Sequence, residues 1–493
     1  MPIGFDPTQY MTVQREKILE RIERTQGRLY LEFGGKLLDD YHAARVLPGF
    51  DAGGKAALLQ TLSDRLEILL CINAGDIEKN KLRADLGITY ERDVLRLMDD
   101  LRGMGLHVGA VVITQYRGQP GADIFRKKLE MREERVFVHQ YTKGYPTDIA
   151  TIVSEEGYGA NPYIPCTQPL VVVTAPGPGS GKLATCLSQM YHEHRQDRAA
   201  GYAKFETFPI WNLPINHPVN LAYEAATADL DDVNMIDPFH LDAYGETAVN
   251  YNRDVEVFPI LQAILSRITQ AEGYRSPTDM GVNMAGRCIT DDVAVCEAAR
   301  QEILRRYYRT RLDHKLGRVE ETAIHKVEMI MSRLNLRAED RDVVAPALAK
   351  ERERGAPAVA VRLPDGHVVA GRATGLMSAP AAAVLNAMKS KAGIPDDLHL
   401  IMPGVLSPIQ RLKNQTYRLR SPVLNLDEVL IALTISAATN PLVERALLGL
   451  ESLRGCEAHA TYILPETDEE ILRRLDIRLT CEPDFPGKNL YYE

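Results

Sequence analysis

The residues best suited to chemistry lie between positions 170 and 191. An apolar run at 170–173 leads into the segment 176–182, which reads PGPGSGK, and apolar residues then recur at the spacing of a helix. This order predicts a strand, a glycine-rich loop and a helix. Free amide groups and the positive dipole end at a helix start attract anions. Because Lys182 adds a full positive charge, the loop is predicted to bind a phosphate, most simply that of a nucleotide.

The loop departs from the P-loop pattern at two fixed positions. Pro176 replaces its first glycine and Leu183 replaces its final hydroxyl residue. The sequence therefore leaves magnesium binding open, since Thr185 stands too far round the helix to take that place. The candidate cofactor contacts in this region are Gly177, Gly179, Ser180, Gly181, Lys182 and Thr185. The alternative is a turn that only closes a strand–helix corner.

Residues 177–182 resemble the loop of adenylate kinase and related nucleoside monophosphate kinases, which carry GPGSGK between an apolar strand and a helix. The resemblance covers about a dozen residues. It implies that the backbone of residues 179–182 wraps a phosphate and that Lys182 contacts its charge. ATP or another nucleotide is then the candidate cofactor, although the sequence does not identify it.

Polar, glycine-rich segments follow five predicted strands, at 28–33, 68–72, 107–114, 135–139 and 170–174. Apolar strands that alternate with helices predict a mostly parallel sheet covered on both faces. In such sheets ligands bind beyond the carboxyl ends of the strands. Lys36 and Lys143 would add positive charge there, and Asp76, Asp40 or His139 would transfer protons. The alternative is that these polar ends only meet solvent.

The 493 residues are too many for one core and predict two to four domains. We predict a doubly wound α/β domain at 1–250, a helical domain at 251–354 and a smaller α+β domain at 355–493. Proposed local elements include a helix over 146–156, a hairpin at 358–372 and a strand over 398–402.

The amino-acid composition argues against a nucleic-acid-binding, secreted or membrane-spanning protein. The formal net charge of −9 argues against DNA or RNA as the main partner. Neither a signal peptide nor an apolar run long enough for a membrane span is found in the sequence. Seven scattered cysteines without C-x-x-C spacing are typical of a reducing compartment. A cytoplasmic protein is expected.

Metal binding has weaker support. Acidic residues at 229–242 surround His240, and oxygen ligands of this kind suit hard ions, but helix capping explains them equally well. His192 and His194 point to different sides of a helix, and H-E-x-x-H is absent. No metal ligand is assigned.

Segments along the whole chain resemble a large bacterial family of unknown function, domain-of-unknown-function family 1846. They include FGGKLLDDYHAARVLPGF, GPGSGK with LATCLSQMYHE, ISAATNPLVERAL and LRGCEAHATYILP. The resemblance implies a bacterial cytosolic protein and agrees with nucleotide binding. Some family members carry the label of an ATP-dependent peptidase, but this sequence shows neither a zinc motif nor a clear serine or cysteine triad.

The leading hypothesis is an enzyme that binds a nucleotide or phosphometabolite, either a transferase or a hydrolase. Its partner would be a phosphate-bearing small molecule, and the chain is expected to form a homo-oligomer. A non-catalytic oligomeric scaffold or regulator is the alternative from a different class. An ATP-dependent peptidase is the third hypothesis and the least favoured.

Overall fold

A computed structural model describes residues 2–83, 86–271, 273–419 and 421–487. The chain forms two compact units, Met1–Arg300 and Gln301–Glu493. The division into three independent domains stays a prediction.

The first unit is built on a parallel sheet. The described strands of this unit are β1 (Arg28–Phe33), β2 (Leu66–Asn73), β3 (Leu82–Arg83), β4 (Ile88–Thr89), β5 (Val108–Tyr116), β6 (Val136–Gln140), β7 (Leu170–Thr174), β8 (Ala200–Phe205), β9 (Asn234–Ile236) and β10 (Val249–Tyr251). β3 pairs with β4, and β9 with β10, in two small antiparallel sheets. The main sheet has the order β6-β5-β2-β7-β1-β8, and every neighbouring pair in it is parallel. The predicted parallel sheet is thereby confirmed.

Helices cover both faces of this sheet. Those described are α1 (Pro7–Thr25), α2 (Tyr41–Val46), α3 (Gly54–Gln60), α4 (Ala74–Glu78), α5 (Tyr90–Gly103), α6 (Pro120–Glu130), α7 (Ile149–Ile152), α8 (Lys182–Arg195), α9 (Pro218–Ala226), α10 (Pro238–Tyr244), α11 (Asn252–Thr269), α12 (Pro277–Met280) and α13 (Asp292–Lys315), which runs past the unit boundary. Tyr30, Leu69 and Val171 share a core with residues of α8 and α11. Strand residues between them point to the other face, where α1 packs on β1 and α5 on β2.

The strand order places the central crevice beside β7. Its five residues are all buried and apolar or β-branched, as expected for a strand covered on both faces. The chain leaves β2 toward its neighbour β5 but leaves β7 toward β8, in the opposite direction. The carboxyl ends of β2 and β7 therefore flank a topological switch point, where α/β sheets bind ligands.

The second unit combines helices with a smaller sheet. Its described helices after α13 are α14 (Glu321–Arg333), α15 (Val344–Arg352), α16 (Ala379–Ala392), α17 (Pro403–Arg411), α18 (Leu426–Ala437), α19 (Pro441–Leu448) and α20 (Glu466–Arg474). Its strands are β11 (Ala358–Arg362), β12 (Val368–Arg372), β13 (Glu457–Ala460) and β14 (Arg478–Cys481), in the order β12-β11-β13-β14. β11 is antiparallel to both neighbours, whereas β13 and β14 are parallel. The predicted hairpin and the overall fold class are confirmed.

Within the described ranges, no helix has the length and apolar character needed to cross a membrane. All seven cysteines lie in these ranges, and each is a free thiol.

Candidate functional site: the loop after the central strand

The glycine-rich loop lies at the switch point. It follows β7 and ends at Gly181, directly before α8. Gly179 is exposed, while the side chain of Ser180 is buried and its Oγ donates to the Gly177 carbonyl oxygen at 2.7 Å. A tight turn thus stands open to solvent at its tip.

Side chains from two neighbouring strand ends hold the loop carbonyls. Asn73 Nδ2 and Gln115 Nε2 donate to the Gly179 oxygen at 3.1 and 3.4 Å. Thr114 Oγ1 donates to the Ser180 oxygen at 2.8 Å. A trans peptide directs its C=O and N–H to opposite sides. The amides of Ser180 and Gly181 therefore point away from the strand ends that hold these carbonyls.

The backbone conformation and the free amides fit an anion site. Gly179 and Gly181 have φ of +71° and +78°, on either side of Ser180. Successive amides around such left-handed residues form concave anion sites. Within the described residues, the amide groups of residues 180–183 make no hydrogen bond, and no side chain caps α8. The amides that a phosphate would use are thus not occupied by other parts of the chain.

Lys182 supplies a positive charge at the same point. It is the first residue of α8, is half-buried, and makes no ion pair with any residue that the structure describes. Burial raises the pKa of the Cys71 thiol to about 12, and the nearby Lys182 ammonium opposes this rise. Thr185, by contrast, is fully buried, with its Oγ1 3.5 Å from Cys71 Sγ. Its side chain therefore belongs to the core beneath α8.

Asp76 is connected to the loop only indirectly, through the side chains of Lys81 and Tyr90. A Cβ added at Gly177 would lie 2.3 Å from Tyr90 Oη, so this ring packs directly on the loop. Lys81 Nζ lies 5.1 Å from the centre of that ring and 3.4 Å from Asp76 Oδ1. The Asp76 side chain is only 14% exposed. The carboxylate thus lies in the first turn of α4, after the same strand that supplies Asn73.

Asp40 is engaged elsewhere. Its Oδ2 lies 2.6 Å from Lys55 Nζ, and its Oδ1 accepts from the Ala43 amide at 3.2 Å. Burial acts to raise the pKa of this carboxyl, but the charge and hydrogen bond of Lys55, together with the hydrogen bond from the Ala43 amide, outweigh burial and the pKa is lowered. Asp40 therefore caps α2 and neutralises a buried lysine. Lys36 is half-buried between β1 and α2 and has a polar interaction of its own.

His139 lies in β6 and Lys143 follows this strand, which is three places from β7 in the sheet, roughly 14 Å away. Within the described residues, neither side chain forms a hydrogen bond with the loop, whose carbonyls accept from Asn73, Thr114 and Gln115. His139 is 3% exposed, and burial lowers its pKa to about 4, so the ring is neutral at neutral pH. Lys143 is exposed and pairs with Glu156, which raises its pKa.

The loop's three anchors and Tyr90 were not assigned as site residues from the sequence. Their position directly after predicted strands, or at the start of a predicted helix, was the available signal. Nothing in the residue types alone separates such an anchor from an ordinary solvent-facing polar residue.

A mixed cluster elsewhere tests the metal and peptidase hypotheses. His217, Asp292 and Cys296 form the one such group of potential ligands in the described ranges, with donor atoms within 4.8 Å of one another. His217 Nδ1 accepts from the Val219 amide at 3.3 Å, so Nε2 carries the ring proton and faces Asp292 Oδ1 at 3.0 Å. Ligation through Nε2 needs that position free of its proton.

The same cluster lacks the geometry of a catalytic triad. Cys296 Sγ lies 3.6 Å from Nε2, the nitrogen that also faces Asp292, whereas a triad uses both ring nitrogens. Burial, aided by Asp292, raises the pKa of Cys296 to about 11. In the acidic segment, Asp237 accepts from the Phe239 and His240 amides at 3.0 Å. Helix capping, one of the two explanations of that segment, is thus confirmed for Asp237.

Comparison with known proteins matches the whole chain to one family. Residues 3–335 match the N-terminal domain of unknown function DUF1846, and residues 339–491 match its C-terminal counterpart. UPF0371 proteins of Clostridium tetani (strain Massachusetts / E88) and Clostridium botulinum (strain Eklund 17B / Type B) are each 54% identical, over 100% of both chains. The predicted membership of domain-of-unknown-function family 1846 is confirmed.

Proposed function

Since the chain belongs to the DUF1846 family, whose function is unknown, we propose from the geometry of the loop that it binds the phosphate of a small-molecule ligand. The observation that carries this proposal is the orientation of two successive amides, those of Ser180 and Gly181, away from the strands that hold their carbonyls. Lys182 stands beside them without an ion-pair partner in the described residues. Together they supply directed donors and a charge, which is what a phosphate site requires.

The reaction we propose is phosphoryl transfer or hydrolysis, on a nucleotide or a phosphometabolite. Asp76 is the candidate acid–base residue, because its half-buried carboxylate follows the strand that also anchors the loop. Asp40 is a weaker candidate, since Lys55 and the Ala43 amide already occupy its oxygens. We place this activity in the cytosol, in keeping with seven free thiols.

The test is a thermal-shift screen with Lys182→Ala and a matched control. Wild type is heated with inorganic phosphate, nucleotides and sugar phosphates, with and without magnesium. A ligand at 100 times its Kd stabilises by about 2.7 kcal/mol, which raises the Tm of a unit of this size by roughly 4 °C. We expect Lys182→Ala to abolish this rise. Lys143→Ala should keep it, because Lys143 is exposed and already paired with Glu156.

Equal stabilisation of wild type and Lys182→Ala by every phosphate compound would contradict the proposal. If no compound raises Tm and the chain forms a stable multimer, a second function gains support, an oligomeric scaffold or regulator. Ile431 and Ile435, one turn apart on α18, are 52% and 54% exposed and favour that candidate. Large apolar side chains grouped at a surface are typical of protein interfaces.

A further inference from the structure

A cleft lined by both charged and apolar side chains lies at the same edge of the parallel sheet as the loop, beyond the end of β8. Its volume is about 60 Å³, which holds roughly four or five water molecules. Lys204, the residue before the last of β8, lines it together with segments at 206–211, 249–254 and 277–283. Its size suits one end of a small molecule.

The cleft carries an excess of negative charge. Lys204 Nζ lies 2.6 Å from Asp254 Oδ2 and 3.1 Å from Glu206 Oε2. Glu32, opposite Lys204 on β1, is a third carboxylate acting on the same ammonium. Arg253 is a second cation that acts on Asp254 and Glu206, so the carboxylates still outnumber the cations. This disfavours a second phosphate here. The arrangement instead offers hydrogen-bond acceptors to hydroxyl groups.

One buried hydroxyl near these carboxylates has no hydrogen-bond partner in the described residues. The Tyr251 hydroxyl is 2% exposed, has no partner within the described residues, and lies close enough to Glu206 and Asp254 for their charges to raise its pKa further than burial alone. Trp211 forms part of the wall and donates its Nε1–H to the Asn283 oxygen at 3.0 Å. A flat aromatic wall beside fixed carboxylates is suited to a hydroxyl-bearing carbon chain.

The cleft and the phosphate loop are neighbours along one sheet edge. β7, β1 and β8 are adjacent in the sheet, the loop follows β7, and Glu206 follows β8. Two strand spacings separate them by roughly 10 Å. Gly34, directly after β1, lies between: a Cβ added there would lie 2.2 Å from Glu206 Cγ. A single extended ligand can therefore reach both places.

We propose that the Lys204 cleft binds the hydroxyl-bearing end of the ligand whose phosphate the loop holds. The substrate class is then a phosphorylated sugar or polyol of roughly five or six carbons, the length that spans this separation. Glu206 and Asp254 accept hydrogen bonds from its hydroxyls, and Lys204 keeps the two carboxylates in place. This inference rests on the proposed phosphate-binding function.

Calorimetric titration tests it with inorganic phosphate, glycerol 3-phosphate, ribose 5-phosphate, glucose 6-phosphate and magnesium ATP. We expect at least one sugar phosphate to bind wild type ten times more tightly than inorganic phosphate. Glu206→Gln should remove most of this advantage and leave the affinity for inorganic phosphate unchanged. Lys182→Ala should weaken both ligands. Glu156→Gln, at an exposed carboxylate of the same unit, is the control and should behave as wild type.

The outcomes separate the two proposals. If inorganic phosphate binds but no sugar phosphate binds more tightly, or if Glu206→Gln keeps the full advantage, the cleft assignment is wrong and the phosphate loop stands. If wild type binds no phosphate compound, the proposed function fails and takes the cleft assignment with it. Should Glu206→Gln not fold, Asp254→Asn, at the other proposed acceptor, replaces it. A sugar-phosphate advantage unchanged in that variant would equally overturn the inference.

Discussion

Replacing Lys55 by methionine tests whether Asp40 is a structural ion-pair partner or a residue free for proton transfer. The two side chains are 1% and 9% exposed and lie 2.6 Å apart. Removing one partner of a buried pair leaves an uncompensated charge and costs about 3–5 kcal/mol. Methionine keeps the apolar stem beside Phe33 and Phe205, whose ring centres lie 6.0 and 5.9 Å from Lys55 Nζ. The loss therefore reports the charge more than the packing.

The stability loss of Lys55→Met should also depend on pH, in a direction set by the pKa of Asp40. In wild type the pKa of Asp40 is lowered, so its stabilising effect is fully present above the unfolded pKa, near 4, and is lost only at lower pH. Without Lys55, burial is left to raise that pKa. The variant should then lose stability as pH rises, by up to about 1.4 kcal/mol per pH unit, until the buried carboxyl ionises. Its deficit relative to wild type should be larger at pH 7.5 than at pH 4.5.

Urea unfolding followed by the fluorescence of Trp211 measures this deficit, because the single tryptophan lies in the first unit. The double variant Lys55→Met with Asp40→Asn should recover most of the stability and lose the added pH dependence, since asparagine can still cap α2. Lys143→Met, at an exposed pair, should leave the urea midpoint unchanged. A deficit that is absent at pH 7.5, or equal at both pH values, would refute the ion-pair argument and restore Asp40 as an acid–base candidate.

Two shorter predictions concern the loop and the buried histidine. Gly179→Ala and Gly181→Ala each place an alanine in the left-handed region, which costs about 1–2 kcal/mol of stability. Only Gly181→Ala also places a Cβ 2.8 Å from Thr114, so it should lose about 1–3 kcal/mol more than Gly179→Ala and show the lower Tm. Equal Tm values for the two variants would contradict the packing of Thr114 on the loop. The pKa of His139 is about 4 in the folded protein and near 6.5 in the unfolded chain. Because the folded protein keeps the ring neutral, the free energy of unfolding should fall by about 3 kcal/mol as pH falls from 6.5 to 4. His139→Gln should abolish that loss in urea titrations, whereas the control His107→Gln, at a side chain that is 61% exposed, should retain it.

The sequence predicted the sheet well because its strands carry a strong local signal. The buried residues of β2 and β7 are apolar or β-branched, and such runs separated by helical patterns indicate parallel strands. The position of β7 between β1 and β2 was not predictable from these patterns. It depends on which strands pair over long sequence separations, and no local propensity encodes that pairing.

Two local elements were wrong for identifiable reasons. The helix predicted over 146–156 is limited to α7, because Asp148 accepts from the Thr151 amide at 3.1 Å and so starts the helix at residue 149. Beyond α7, side chains of α8 hold residues 158–164. Gln189 Oε1 accepts from the Ile164 amide at 2.7 Å, and Ser188 Oγ donates to the Tyr158 oxygen at 3.0 Å. The strand predicted over 398–402 is irregular, although Leu400 and Ile401 are buried in the core of the second unit. A short apolar run indicates burial more reliably than it indicates a strand.

The candidate site could also be predicted from the sequence only where its residues are adjacent in the chain. The strand, loop and helix around Lys182 follow from adjacent residues, but the anchors Asn73, Thr114 and Gln115 come from positions more than 60 residues away in the sequence. Gln115 has φ of +52°, which is uncommon outside glycine. This conformation directs its side chain at the Gly179 carbonyl, and sequence patterns do not predict such a placement.

Leu183, the residue after Lys182, bears on which phosphate ligand the proposed site would bind. Leu183 takes the position where a P-loop has its magnesium-binding hydroxyl, and here that side chain packs against the core shared by the sheet and α8. The nearest hydroxyl along the helix, that of Thr185, is buried against Cys71. The Ser180 hydroxyl is also buried and donates to a backbone oxygen of the loop. Within the described residues, the proposed phosphate site therefore has amides and one ammonium, but no hydroxyl of the loop or the first turn of α8 is exposed to bind a metal. Nucleoside triphosphates rely on a metal to bridge their phosphates, whereas a phosphate monoester is matched by amides and a lysine alone. This argues for a phosphometabolite over a nucleoside triphosphate.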